Sequence, residues 1–156
     1  MSERIFNLLE LELEANEEGP PTHRFRGRSP AHELGAVLTG LGVYELEPGQ
    51  ATWPYHFELI EEEWLLVVEG ELTVRTPDGE QTLHAGEVVC FPPGAAGAHA
   101  VRNDGTGTAR FAMPSSAAGD GGGAVYPDTG LFVLYAPGFK HRGRLGEAVE
   151  YWEGTS

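Results

Sequence analysis

The stretch from Trp53 to Gly70, WPYHFELIEEEWLLVVEG, holds His56 and Glu58 two residues apart in a run with strand character, and brings Glu63 back at the head of a strongly apolar run. Side chains two apart on a strand share a face, so His56 and Glu58 look the same way. An imidazole and a carboxylate converging on one point supply half of a site for a divalent ion. Glu61 and Glu62, between the two candidate carboxylates, read as a solvated turn. Trp53, Tyr55 and Phe57 alternate against the ligand positions, so Tyr55 and Phe57 are expected to face away from an ion.

The elements that must hold these residues are short β-like runs. AVLTGLGVYELEPG predicts a strand near 36–46, closed by Pro48 and Gly49; ELTVRT precedes a Pro77-Asp78-Gly79 turn; EVVCF ends at Pro92-Pro93-Gly94; HAVRN ends at Asp104-Gly105; ARFAM ends at Pro114. Six or more short strands at regular spacing, with no long helical pattern, predict an all-β antiparallel sandwich or barrel. The N-terminal run Ile5 to Leu13 fits either a short helix or a pairing strand. Residues 19–30, GPPTHRFRGRSP, form a local basic patch expected to pair with the chain's own carboxylates. SSAAGDGGG, residues 115–123, has the composition of a loop. The aromatic C-terminal material, with Tyr135, Tyr151 and Trp152, is expected to pack over the barrel.

A chain of 156 residues predicts one domain, with a barrel core over about 36–114 and residues 124–156 packed on it. Such a length buries enough surface to fold without structural metal, so an ion here would be functional. Asp and Glu outnumber Lys and Arg 24 to 10, and the net charge of −14 argues against nucleic acid and anionic membranes as partners. The single cysteine, Cys90 in EVVCF, is expected to be a buried inert thiol and fits a reducing cytoplasm. No run approaches the ~20 apolar residues of a membrane span, and the N-terminus lacks the basic-then-apolar pattern of a signal peptide.

Two spaced motifs carry a resemblance. His56, Glu63 and Gly70 follow the first motif of the cupin superfamily, with Gly49 one residue further upstream than the pattern prefers. Gly86, Pro92, Gly94, His99 and Asn103 follow the second, with a Gly94-to-His99 gap two residues longer than usual. The chain resembles small single-domain bacterial cupins, and the likeness extends through PYH, EEWLLVVEG and YPD. It implies a double-stranded β-helix, or jelly-roll barrel, with short terminal extensions. It also implies a metal in the barrel, with His56, Glu58, Glu63 and His99 as the candidate ligands. One departure stands out, because Glu58 occupies the place of the motif's second histidine.

Two imidazoles and two carboxylates give a divalent ion harder oxygen ligands and less net positive charge, favouring Zn, Mn or Fe over Cu, with Ni also compatible. If one carboxylate coordinates, His56, His99 and that carboxylate form a face with open positions, and the other carboxylate is free to act as a base. Without a cation, the two carboxylates would repel and one would take up a proton. His84 is expected at a strand surface, His23, His32 and His141 in loops, and Asn103 in a backbone-bonding role. Two functions stay open: a metal-dependent enzyme, such as an oxygenase, isomerase or decarboxylase, acting on a small molecule in the barrel, or a non-catalytic sensor or carrier of a small ligand. A homodimer is expected, because small barrels commonly bury an apolar layer against a second copy.

Overall fold

The computed structural model describes residues 5–116, 121–146, 148 and 153. Thirteen strands follow in order: β1 (Glu14–Asn16), β2 (Phe25–Arg28), β3 (Thr39–Leu46), β4 (Phe57–Glu58), β5 (Glu63–Glu69), β6 (Glu71–Thr76), β7 (Gly79–His84), β8 (Val88–Phe91), β9 (Ala100–Arg102), β10 (Ala109–Ser116), β11 (Gly122–Tyr126), β12 (Leu131–Ala136) and β13 (Phe139–Arg144). Among the described residues the one helical element is a short 3₁₀ turn, Ala95–Gly97.

All pairings are antiparallel, in three sheets ordered β1-β2-β3-β10-β5-β8, β7-β6-β9 and β13-β12-β11-β4. The first two face each other across the core. Leu46, Leu65, Val67, Phe91, Ala109, Phe111 and Met113 from the six-stranded sheet meet Leu72, Val74, Leu83 and Val101 from the three-stranded one. Along β5, buried Leu65 and Val67 alternate with exposed Trp64 and Leu66, so that strand turns one face to the core and the other to solvent. This is the all-β jelly-roll architecture.

The chain crosses between the two sheets at Gly70, where φ is 77° and an added Cβ would stand 2.8 Å from the Thr108 carbonyl oxygen. Only glycine meets both demands without strain. Asn103, fully buried, ties the end of β9 to its surroundings. Its Nδ2 donates to the carbonyls of Leu46 and Gly107, each at 2.8 Å, and its Oδ1 accepts from the Gly105 N–H at 2.9 Å.

The N-terminal run Ile5 to Leu13 forms neither a helix nor a strand: a turn spans Leu8–Glu10, and the first strand, β1, begins only at Glu14. β1 pairs with β2 and β2 with β3, extending this chain's own main sheet, while Leu11 and Leu13 bury against Val43. The basic patch does pair internally. Arg28 meets Glu33 at 2.8 Å, Arg26 approaches Glu45 at 3.6 Å and also donates to the Leu13 carbonyl. Cys90 departs from expectation. It is half-buried, alternating outward between the inward-facing Val89 and Phe91, because the apolar run EVVCF has only one face on the core. Tyr151 and Trp152 lie outside the described residues.

Candidate metal centre

The segment leading into β4 runs antiparallel to His99–Asn103, the stretch that carries β9. Gly49 N–H bonds the Asn103 carbonyl, Thr52 N–H the Val101 carbonyl, and His56 and His99 exchange both backbone bonds, at 3.0 and 2.8 Å. Residues that exchange both bonds stand directly opposite and share a face, so residues 43 apart in sequence bring their rings to a centroid separation of 4.7 Å.

Each ring is then oriented by one backbone carbonyl. His56 Nδ1 donates to the Pro54 carbonyl at 2.8 Å, and His99 Nδ1 to that of Gly97 at 2.9 Å. A carbonyl can only accept, so Nδ1 carries the ring proton in both histidines and each Nε2 presents its lone pair. Gly97 must be glycine, since a Cβ there would run into the Pro92 carbonyl oxygen. Phe91 lies flat on His99, with ring centroids 3.8 Å apart and 9° between planes, and Tyr126 of β11 stacks on His56 at 5.5 Å.

Glu63, first residue of β5 and opposite Phe91 in the ladder, completes the group. The donor atoms of His56, Glu63 and His99 all lie within 4.8 Å of one another, the only such group among the described residues. Glu58 stands beside it, outside the trio, with Oε1 3.7 Å from His56 Nε2. Glu61 is not a simple solvated turn residue: its Oε1 accepts a 2.9 Å bond from the Tyr135 hydroxyl, while Glu62 accepts from Trp64 Nε1.

The electrostatics follow from burial. Desolvation lowers the pKa of His56 and takes His99 to about 4, the neighbouring His56 adding to the effect. Both rings are therefore neutral at pH 7. Desolvation also raises Glu58 to about 8, with Glu63 and Glu61 adding repulsion, and raises Glu63 to about 7, with Glu61 adding. Glu63 Oε2 and His99 Nε2 are buried 3.5 Å apart, and neither has a hydrogen-bond partner among the described residues. Two acceptors facing each other in a dry site are unfavourable unless a cation or a proton lies between them. Ligands bonded to one ion at ~2.1 Å sit about 3 Å apart, so small side-chain movements would let the trio close on a divalent ion. The donor set fits such an ion, and the carbonyls behind each Nδ1 are the outer partners that metal-bound histidines require.

Of the other histidines, His84 is exposed at the end of β7 near Glu87 and Glu71, and His23 bonds Thr22. His141 is not in a loop but on β13, beside Phe132 and Phe139. Phe91, Tyr126 and Tyr135 were not anticipated at the site. Tyr126 arrives through the pairing of β11 with β4, and the YPD string around it is the only local signal. A separate cleft of about 730 Å³ is lined by Phe25, Gly27, Tyr44 and Trp53 with the acidic run Glu14–Glu18, and none of the four candidate ligands lines it. The converging orphan donors mark the histidine cluster, and not this cleft, as the candidate site.

Known proteins support this architecture over nearly the whole chain. A putative sugar phosphate isomerase from Acidithiobacillus ferrooxidans superposes with a TM-score of 0.81 at 22% identity, covering 94% of this chain and 97% of that one. A sugar phosphate isomerase of the cupin superfamily from Silicibacter pomeroyi gives 0.79 at 20%, with the same coverages. A predicted oxalate decarboxylase from Thermotoga maritima gives 0.59 at 15%, covering 72% and 97%. No curated protein matches the sequence. The family model described as a cupin domain matches residues 42–114, which carry β3 to β10 and three members of the cluster. Residues 42–114 thus match a cupin domain, and the likeness of fold extends over most of the chain.

Proposed function

We propose that this chain is a metal-dependent enzyme in which His56, Glu63 and His99 hold one divalent ion, Zn, Mn or Fe with Ni compatible, and Glu58 acts as the base beside it. The observation that carries this is the pair of imidazole Nε2 lone pairs, each fixed by a backbone carbonyl behind the ring, converging on Glu63, whose buried Oε2 has no hydrogen-bond partner among the described residues.

When bound, such an ion polarises a substrate carbonyl or hydroxyl oxygen. The residues around it then define the reaction. Glu58, with Oε1 3.7 Å from His56 Nε2, stands beside the trio to take the proton from the hydroxyl-bearing carbon next to the carbonyl carbon. Returning that proton to the former carbonyl carbon, while the hydroxyl proton passes to the former carbonyl oxygen, completes an isomerisation with no other reactant. Phe91 and Tyr126 cover the outer faces of the two imidazoles and keep water from them. That two relatives matching 94% of this chain are described as sugar phosphate isomerases favours proton transfer on a hydroxy-carbonyl compound over oxygen chemistry.

The test is turnover in D₂O. Metal-loaded protein is offered a panel of short hydroxyaldehydes and hydroxyketones, free and phosphorylated, and deuterium at the carbon next to the carbonyl is followed by NMR. Exchange that is lost in His56→Ala and His99→Ala is the expected result. Exchange retained in both variants would exclude a mechanism built on these residues, and ligand binding with no exchange would identify a carrier or sensor.

We also propose a homodimer. The face of the C-terminal sheet turned away from the site carries Phe57, Val125, Phe132, Leu134 and Phe139, and Phe139 is 54% exposed.

A further inference from the structure

We infer that Arg142, on the outermost strand of the C-terminal sheet, reads a carboxylate or phosphate on the substrate, so that the molecule taken by the cluster is a small organic anion. The inference rests on the proposed metal site and adds its substrate class.

The sheet register places Arg142. Glu58 pairs with Ala124, Ala124 with Val133, and Val133 with Arg142, a straight row across β4, β11, β12 and β13. Directly opposite residues in antiparallel ladders share a face, so Arg142 and Glu58 project to the same side. That side is the one turned toward the cluster. Glu58 approaches His56, Tyr126 stacks on His56, and the Tyr135 hydroxyl bonds Glu61. Three interstrand steps separate the Glu58 and Arg142 backbones by about 14 Å, and the long arginine side chain spans part of that gap. Ala124 and Val133, both short, form the floor between the two charged ends.

Arg142 is also uncommitted. Arg26, Arg28, Arg75, Arg102 and Arg110 each meet a carboxylate, and Arg144 donates to the Thr129 carbonyl. Arg142 is exposed and makes no hydrogen bond or ion pair with the described residues. Arg24, whose guanidinium is also unpaired among them, belongs to a different cleft, with Asn16, Glu45 and Gln50. The charge of Arg142 is felt at the Tyr126 hydroxyl, where it opposes the upward push of burial and of Glu58. A site bordered by Glu58, Glu61 and Glu63 in a chain of net charge −14 repels anions. A free guanidinium on its rim, with Lys140 two residues away on the same face, offers an anion a bidentate partner.

The experiment compares matched probes by titration calorimetry on metal-loaded protein: D-ribose 5-phosphate against D-ribose, and malate against its dimethyl ester. Wild type is expected to bind at least one anionic member about tenfold or more tightly than its neutral counterpart, and the pair that shows it tells phosphate from carboxylate. Arg142→Gln should erase the preference with metal content unchanged, while Arg144→Gln should keep it. Equal binding of anionic and neutral members by wild type, a preference that survives Arg142→Gln, or an equal loss in Arg144→Gln would each overturn the proposal. Absence of metal from wild type would instead overturn the metal site on which it rests.

Discussion

At the scale of single residues, the two carboxylates have separable roles. Glu63→Gln removes the anionic member of the trio, and metal affinity should fall by about 100-fold or more, read by titration with a competing chelator. Glu58→Gln should keep the ion and lower turnover by roughly 10²- to 10⁴-fold. The raised pKa values make a further prediction for metal-free protein. A group whose pKa is higher folded than unfolded supports folding below its unfolded pKa and loses that support as pH rises through the folded one. With Glu63 at about 7 and Glu58 at about 8, the melting temperature of metal-free protein should fall between pH 5 and pH 8. Below pH 6.5 the depressed histidines work in the opposite sense. Divalent metal should restore stability most at the alkaline end, by roughly 5 °C or more. A melting temperature independent of pH across that range would contradict the buried carboxylate pair. His56, Glu63 and His99 were legible in the sequence as candidates through the two spaced motifs that carry the cupin resemblance. The displacement of Glu58 from the trio was not, since it depends on where the two-residue β4 ends and β11 begins to pair with it.

At the scale of elements, the site depends on the paired segments before β4 and around β9 and on the anchors at their ends. Asn103→Ala leaves the Leu46 and Gly107 carbonyls without their donor in a fully buried position, and should cost about 1–3 kcal/mol in denaturant unfolding. The C-terminal sheet has its own tether. Arg75 of β6 grips Asp128 through two bonds, at 2.6 and 3.0 Å, with its guanidinium 3.8 Å over the Tyr55 ring. Asp128 lies two residues from Tyr126, so Asp128→Ala should loosen Tyr126 over His56 and raise KM more than it lowers kcat. An unchanged KM would show that the tether does not hold Tyr126. The strands from β3 to β10 were legible because turn residues such as Pro48-Gly49 and Pro77-Asp78-Gly79 punctuate alternating apolar runs. β1 and β2 were not, because short strands rich in Glu and Arg carry no alternation and are recognisable only once they pair with β3. The contribution of β11–β13 to the site also escaped local pattern, since it comes from pairing order and not from spacing.

At the scale of the whole molecule, the main sheet and the three-stranded sheet enclose the core while the C-terminal sheet leans one face on the site and leaves the other apolar. A dimer of about twice the chain mass in light scattering at micromolar concentration is the expected state, and Phe139→Glu on the exposed apolar face should shift it toward monomer. The all-β antiparallel fold was legible from strand count and its jelly-roll form from the cupin resemblance, whereas the proposal of an anionic substrate needed the register that sets Arg142 and Glu58 on one face. The most direct test of the central claim is metal content by mass spectrometry after purification without added metal, in wild type and in the His56→Ala, Glu63→Gln and His99→Ala variants. Wild type should carry close to one divalent ion per chain and each variant almost none; wild type with less than about a tenth of an ion, or variants as full as wild type, would contradict a metal centre at this cluster.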